Sequence, residues 1–243
     1  MDADRRYSLQ ADSWLSGVLQ RPAWNVVAHG VASTPLAELR RPGAQFATAK
    51  VAAVETAEAE ALQSFGFRVV DTALSFEAES PSAPERTEGV RFARPGDRAA
   101  VEAIAGSAFR FSRFHLDPHL PRALADKVKA GWAGNWFSGA RGDGMIVAED
   151  AQGTVAGFLQ LIWGSGERLV IDLVAVRADR ARRGLARAMI GYAQAHGTDG
   201  SRRPRGMLVG TQAANVASLR LYESLGFRMR DAKFVLHHHG SAA

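Results

Sequence analysis

Residues 169–190 read LVIDLVAVRADRARRGLARAMI, and this stretch constrains the fold more than any other. An apolar, β-branched run up to Val176 predicts a strand. Apolar residues at helical spacing from Leu185 onward predict a helix. The chain must therefore bend from strand to helix across the short basic segment Arg182-Arg183-Gly184. The first turn of a helix leaves backbone N–H groups unpaired, and the macrodipole makes that end positive. A diphosphate suits such a bend. Gly184 removes a Cβ that would obstruct approach to the backbone, and Ala186 keeps the next turn narrow. An ordinary strand–loop–helix with a small residue at the bend fits the same pattern, so alone it leaves both readings open.

A second informative segment is Gly210-Thr211-Gln212, then Asn215, then Leu221-Tyr222-Glu223-Ser224-Leu225-Gly226-Phe227. In its plainest role Asn215 is a helix N-cap. Tyr222 lies seven residues later, two helical turns along the same face. It reads either as a half-buried core aromatic or as a group offered to a ligand. Gly226 closes the helix and Phe227 opens the next strand.

Elsewhere the first half predicts a β-α-β unit: a strand over 47–53, a helix over 54–65 ended by Gly66, and a strand over 67–76. Residues 30–43 read as loop. The polar, proline-containing stretch EAESPSAPERTE (77–88) reads as a linker, which divides the chain into 1–86, a smaller α/β domain, and 87–243. The second part predicts a strand at 90–93, helices at 98–111 and 123–136, and strands at 145–149, 155–163 and 168–176. A helix at 184–195, a strand at 207–211, a helix at 218–225 and a last strand at 234–237 complete a mixed α/β order. The histidines at 237–239 read as a solvated chain end: neighbouring strand residues alternate faces, so the three cannot readily share one metal ion.

Composition narrows the function. There is no cysteine, which excludes disulfides, thiolate metal sites and a cysteinyl acyl-enzyme. No apolar run approaches the roughly 20 residues of a membrane helix, and the opening MDADRRYSLQ is too polar for a signal peptide. A soluble, cytoplasmic protein is expected, acting on neither membrane nor nucleic acid, since no nucleic-acid motif accompanies the basic residues. Charge is uneven: residues 1–88 carry 8 basic and 12 acidic side chains, residues 89–243 carry 22 and 13. A polyanionic ligand therefore belongs with the second half. Only four of the 30 basic residues are lysine.

Together the two segments resemble the GNAT superfamily of N-acetyltransferases over roughly residues 89–238. The turn 181–186 matches the family's Q/R-x-x-G-x-G/A pattern at Gly184 and Ala186, with Ala181 in place of the first Gln or Arg. Asn215 and Tyr222 match its N-x(6)-Y spacing, followed by its Gly-Phe ending. The resemblance implies a GNAT fold, a mixed and mostly antiparallel sheet with a V-shaped splay at the acetyl-CoA site, preceded here by the smaller α/β domain. It implies that Val174, Ala175 and Val176 offer strand backbone to the pantetheine arm of acetyl-CoA. Arg182, Arg183, Gly184, Leu185, Ala186 and Arg187 would cradle the pyrophosphate. Asn215 would bind near the pantetheine, and Tyr222 would protonate the departing thiolate in a direct, ternary-complex transfer. No metal is called for. The base stays open among water, His115 and Asp172.

The segment 108–121 interleaves aromatics with Arg110, Arg113, His115 and His119, and Trp132 and Trp136 share a helix face four residues apart. Either these rings fill a core, or the segment forms an acceptor cleft in which Arg113, His115 and Trp136 contact substrate. With Ser112-Arg113-Phe114, Gly210-Thr211-Gln212, Asp12-Ser13 and Gly66–Thr72, it resembles the dTDP-fucosamine acetyltransferase branch of the superfamily. That implies a dTDP-linked amino-deoxysugar as the small-molecule acceptor, and a homodimer is compatible. The alternatives are acetylation of a protein N-terminus, small amine or antibiotic, and a non-catalytic acyl-CoA-binding module.

Overall fold

The computed structural model describes residues 6–28, 30–32, 34–41, 43, 45–79 and 88–240. The first half holds β1 (Tyr7–Ala11), α1 (Ser13–Leu19), β2 (Ala23–Ala28), β3 (Thr34–Pro35), β4 (Phe46–Ala52), α2 (Thr56–Ser64) and β5 (Arg68–Ala78), with a 3₁₀ turn at Leu36–Arg40. Then follow β6 (Val90–Phe92), α3 (Arg98–Ala108), α4 (Arg113–Leu116), α5 (Arg122–Phe137), β7 (Gly144–Glu149), β8 (Val155–Trp163) and β9 (Arg168–Val176). The chain ends in α6 (Leu185–His196), β10 (Gly206–Gln212), α7 (Val216–Ser224) and β11 (Arg228–His239). Among the described residues no helix is long and apolar enough to cross a membrane.

The described strands make one mixed sheet in the order β3-β1-β2-β4-β11-β5-β10-β9-β8-β7-β6. All pairs are antiparallel except β9 with β10 and β2 with β4. The division expected at residue 86 falls within 80–87, outside the described residues, and the strands on either side interleave: β5 lies hydrogen-bonded between β11 and β10. The stretch expected to be loop, 30–43, contains β3 and the 3₁₀ turn, where Leu36 and Leu39 are buried in the first-half core. The last strand is longer than 234–237 because its pairing with β4 and β5 continues through the histidines. The solvated chain end expected there is therefore corrected: His237 is 1% exposed.

The two β-α-β units repeat each other at a fixed offset of 160 residues. Phe46–Ala52 corresponds to Gly206–Gln212, Thr56–Ser64 to Val216–Ser224, and Gly66-Phe67-Arg68 to Gly226-Phe227-Arg228. Pairing obeys the same offset. Lys50 opposes Val235 as Gly210 opposes Ser75; the parallel neighbours match in kind, with Ala23 opposite Phe46 and Arg168 opposite Gly206, although β2 and β9 stand 145 residues apart. A local two-fold thus runs between β5 and β11, where Leu74 opposes Ala232 and Thr72 opposes Phe234.

Two apolar layers cover the second half of the sheet. Ile146, Leu159, Leu161, Leu169 and Ile171 pack under α6 and α7, while Met145, Val147, Phe158, Leu173 and Ala175 pack under α3 and α5. Strict alternation would put Leu169, Ile171, Leu173 and Ala175 on one face. A register shift, with Ile171 opposite Leu161 but Leu173 opposite Gln160, inserts Asp172 as an extra residue. Such a bulge re-aims the side chains beyond it, so Leu173 and Ala175 enter the opposite layer.

Candidate active site

The bulge coincides with the end of a strand pair. β10 follows β9 only from Gly206–Arg168 to Val209–Ile171, after which no β9–β10 pairs continue. From Asp172 to Val176 the β9 edge that faced β10 is without a strand neighbour, while its other edge stays on β8. Backbone polar groups on such an edge demand partners. A cleft of about 590 Å³ opens there. Its walls include Val174, Ala175 and Val176 from β9, Arg182, Gly184, Leu185, Ala186 and Arg187 from the turn and α6, and Asn215 from the start of α7. Of the expected cofactor residues only Arg183 lies outside it, in a neighbouring cavity shared with Gly184 and Leu185.

The turn itself is a backbone device. Arg182 and Gly184 both take positive φ, +61° and +80°. Gly184 is the N-cap of α6, and the first amide its carbonyl accepts is that of Ala188, leaving the N–H groups of Leu185, Ala186 and Arg187 at the helix mouth. Space is open where a Gly184 Cβ would point. Behind the turn, Arg177 and Arg180 are braced by Asp150 and Asp179.

Asn215 fills both of its readings: it lines the cleft, and its Oδ1 accepts the Ser218 N–H at 3.3 Å as the cap of α7. Tyr222 is largely buried. It is 2% exposed, its ring lies 6.3 Å from Phe76 and 5.6 Å from Phe227, and its hydroxyl makes no hydrogen bond among the described residues. The core-aromatic reading describes the ring, while Ser218 and Leu221 of the same helix line the cleft. Burial pushes the Tyr222 phenol well above its ordinary pKa, so it stays protonated.

A second cavity, of about 340 Å³, meets the cleft at Ser112 and Gln212. It is lined by Lys50, Arg113, Lys129, Arg141 and Lys233 against two carboxylates, Asp71 and Asp172. Arg141 grips Asp172 through two hydrogen bonds of 2.8 and 2.6 Å, and the Gln160 amide adds a third at 3.2 Å. Both Asp172 carboxylate oxygens are thus engaged by Arg141. Lys129 is 8% exposed, with its ammonium 4.8 Å from the Phe109 ring and 4.7 Å from that of Trp132. Burial, reinforced by Arg113, pushes Lys129 down to about 7. Burial raises Asp71 to about 6. Trp14 and Asp12 border an adjoining cavity with Trp132 and Arg113.

The expected acceptor residues divide. Arg113 lines this cavity. His115 does not: its Nδ1 meets Ser112 Oγ at 2.6 Å and its Nε2 meets Asp126 at 2.9 Å, so both nitrogens are engaged inside the fold. Trp136 packs on Phe137 beside the α3–α5 layer, and it is Trp132 that reaches the cavity. Sequence reasoning passed over Lys129 and Arg141, and took in Asp71 only within the Gly66–Thr72 resemblance. The available signal was the rarity of lysine, since three of the four lysines converge here. Asp117, His237 and His239 also come together, the Asp117 carboxylate 2.6 Å from His237 and 2.8 Å from His239. This contact ties the α4–α5 connection to β11, with His238 on the other face against Phe67.

Residues 107–227 match the acetyltransferase (GNAT) family model. The chain is 29% identical over 193 residues to a dTDP-fucosamine acetyltransferase of Escherichia coli O6:H1, covering 78% of this chain and 80% of that protein. It is also 29% identical over 143 residues to the spore coat polysaccharide biosynthesis protein SpsD of Bacillus subtilis, covering 59% of this chain but only 48% of that protein. Among solved structures, a GCN5-related N-acetyltransferase from Kribbella flavida aligns with a TM-score of 0.59 at 16% identity, over 97% of this chain and 88% of its own.

Proposed function

The chain belongs to the GNAT acetyltransferase family, and we propose that it moves the acetyl group of acetyl-CoA onto the amino group of a dTDP-linked amino-deoxysugar. The observation that carries this reading is the meeting of two cavities at Ser112 and Gln212, one along a bared strand edge and the other polar and cationic. The name of the Escherichia coli relative supports the sugar. The excess of cations around the second cavity disfavours polycationic antibiotics and lysine-rich peptides as acceptors.

The cleft residues fit acetyl-CoA. The Leu185 and Ala186 amides at the α6 mouth, beside Arg182, suit a diphosphate. The free β9 edge at Val174–Val176 suits the amides of pantetheine. In our assignment the Val174 N–H polarises the thioester carbonyl as the neutral amine attacks it. The carbon–sulfur bond breaks, and Tyr222 gives the departing thiolate a proton. Burial keeps the Tyr222 phenol protonated, although it also makes the phenol a weaker acid. For the amine proton, His115 and Asp172 are both bound up elsewhere, which leaves water as the acceptor in this assignment.

Thiol release from acetyl-CoA, followed against a panel of sugar nucleotides and peptides, tests the reading. Turnover with a dTDP-amino-deoxysugar is expected. Turnover on peptides alone would eliminate it.

A further inference from the structure

The structure assigns to the second cavity a phosphate subsite: Lys129, Arg113 and Lys50, with Lys233 beside them, hold the phosphate-bearing end of the acceptor. This deepens the amino-sugar reading and rests on it for the identity of the acceptor. It requires the acceptor to be an anion at the end remote from its amine.

The warrant is charge without counter-charge. Arg141 and Asp172 satisfy each other. The remaining lining charges are four cations against Asp71 alone. Lys50, Arg113, Lys129 and Lys233 form no ion pair or hydrogen bond among the described residues. The Lys129 ammonium lies against two ring faces, and the buried Arg113 Nε has no acceptor among the described residues. A buried cation left unpaired is expensive, and a fold retains one where a ligand brings the opposite charge. The two residues closest to this condition, Lys129 and Arg113, come from α5 and α4, whereas Lys50 and Lys233 come from neighbouring strands β4 and β11. Several elements therefore converge on one point, unlike a solvated charge run on a single helix face. The cavity volume of about 340 Å³ lies at the small end of the range for ligand pockets, which suits a phosphorylated sugar end.

Lysine use argues in the same direction. The chain places arginine at 26 of 30 basic positions, yet three of its four lysines face this cavity. Lysine is a compact cation whose proton affinity follows its surroundings. A dianion beside Lys129 would restore the charge that burial removes.

Two sources supply this chemistry, a sugar 1-phosphate and a nucleoside diphosphate. Titration calorimetry with inorganic pyrophosphate and with thymidine diphosphate, on protein saturated with coenzyme A, tests the site and separates them. With the coenzyme cleft filled, saturable binding is expected, accompanied at pH 8 by proton uptake as Lys129 recharges. Lys129→Met, and separately the exposed Lys233→Gln, should each weaken pyrophosphate about tenfold, the loss of one charged contact, while acetyl-CoA affinity is retained. Thymidine diphosphate binding tighter than pyrophosphate marks a nucleotide-linked acceptor, and equal binding marks a sugar phosphate. Absence of binding to the coenzyme-saturated protein, or affinity indifferent to both substitutions, overturns the subsite. Pyrophosphate binding without turnover of any sugar nucleotide keeps the subsite and removes the amino sugar. Equal kcat/KM on an uncharged amino sugar removes the subsite and leaves acetyl transfer intact.

Discussion

A phenol sealed in a core and an ammonium sealed against two rings obey one rule: burial favours the uncharged form. For Tyr222 the uncharged form is the proton donor. Its raised pKa means that protonation persists past pH 10, so the rate should show no alkaline limb from this group below that value. The same shift means that whatever stability it confers is present below about pH 10 and is lost as the unfolded chain's phenol ionises. Its hydroxyl makes no hydrogen bond among the described residues, so Tyr222→Phe should leave the melting temperature and acetyl-CoA affinity unchanged. Turnover should fall on the order of a hundredfold, the usual contribution of a positioned acid. Unchanged steady-state turnover would remove Tyr222 as the donor. For Lys129 the uncharged form is the wrong one for binding an anion. Its depressed pKa of about 7 makes the free protein lose stability as pH falls from 10.5 towards 7, because the unfolded chain takes up the proton first. Lys129→Met should flatten that slope in thermal melts and raise stability near pH 7 by roughly 1–4 kcal/mol.

At the scale of elements, the strand–turn–helix at 168–196 could be read directly, because an apolar run, a glycine and helical spacing each act locally. The bulge at Asp172 could not, since it exists only in the register between β8 and β9. The orientation of Trp132 and Trp136 was equally hidden: both share a helix face, and only the packing of α5 decides which meets the cavity. Gly184 can be tested at this scale. Its φ of +80° costs an L-residue roughly 1–2 kcal/mol, while no neighbour crowds the new methyl. Gly184→Ala should therefore fold, melt slightly lower and bind acetyl-CoA more weakly by equilibrium titration. The internal repeat makes a second statement. β2 and β4 pair in parallel as β9 and β10 do, but the place of α6 is taken by the 3₁₀ turn Leu36–Arg40, whose leucines fill the first-half core. One acetyl-CoA per chain is expected by calorimetry, and a stoichiometry of two would show that the first-half β2–β4 unit also binds.

For the whole molecule, the decisive element is β5. The polar linker composition of 77–88 suggests two parts, and composition is a local property, whereas strand order is not. β5 is translated with the first half yet lies between β10 and β11, pairing Phe76 with Val209 on one side and with Met229 on the other. Without it, β10 and β11 would present open edges, which are templates for aggregation. The chain should therefore unfold in a single transition, with far-ultraviolet circular dichroism and tryptophan fluorescence coinciding. Residues 88–243 made alone should be insoluble or lack acetyl-CoA affinity, although they contain the cleft residues. Co-expression with residues 1–79 should restore both, because the two pieces re-form the β11-β5-β10 ladder. A soluble 88–243 fragment that binds acetyl-CoA like the full chain would mean that the family domain closes its own sheet and that β5 is an accessory. Loss of affinity in the fragment and its recovery on complementation would make the first half part of the coenzyme site's foundation as well as one wall of the acceptor cavity through Lys50 and Asp71.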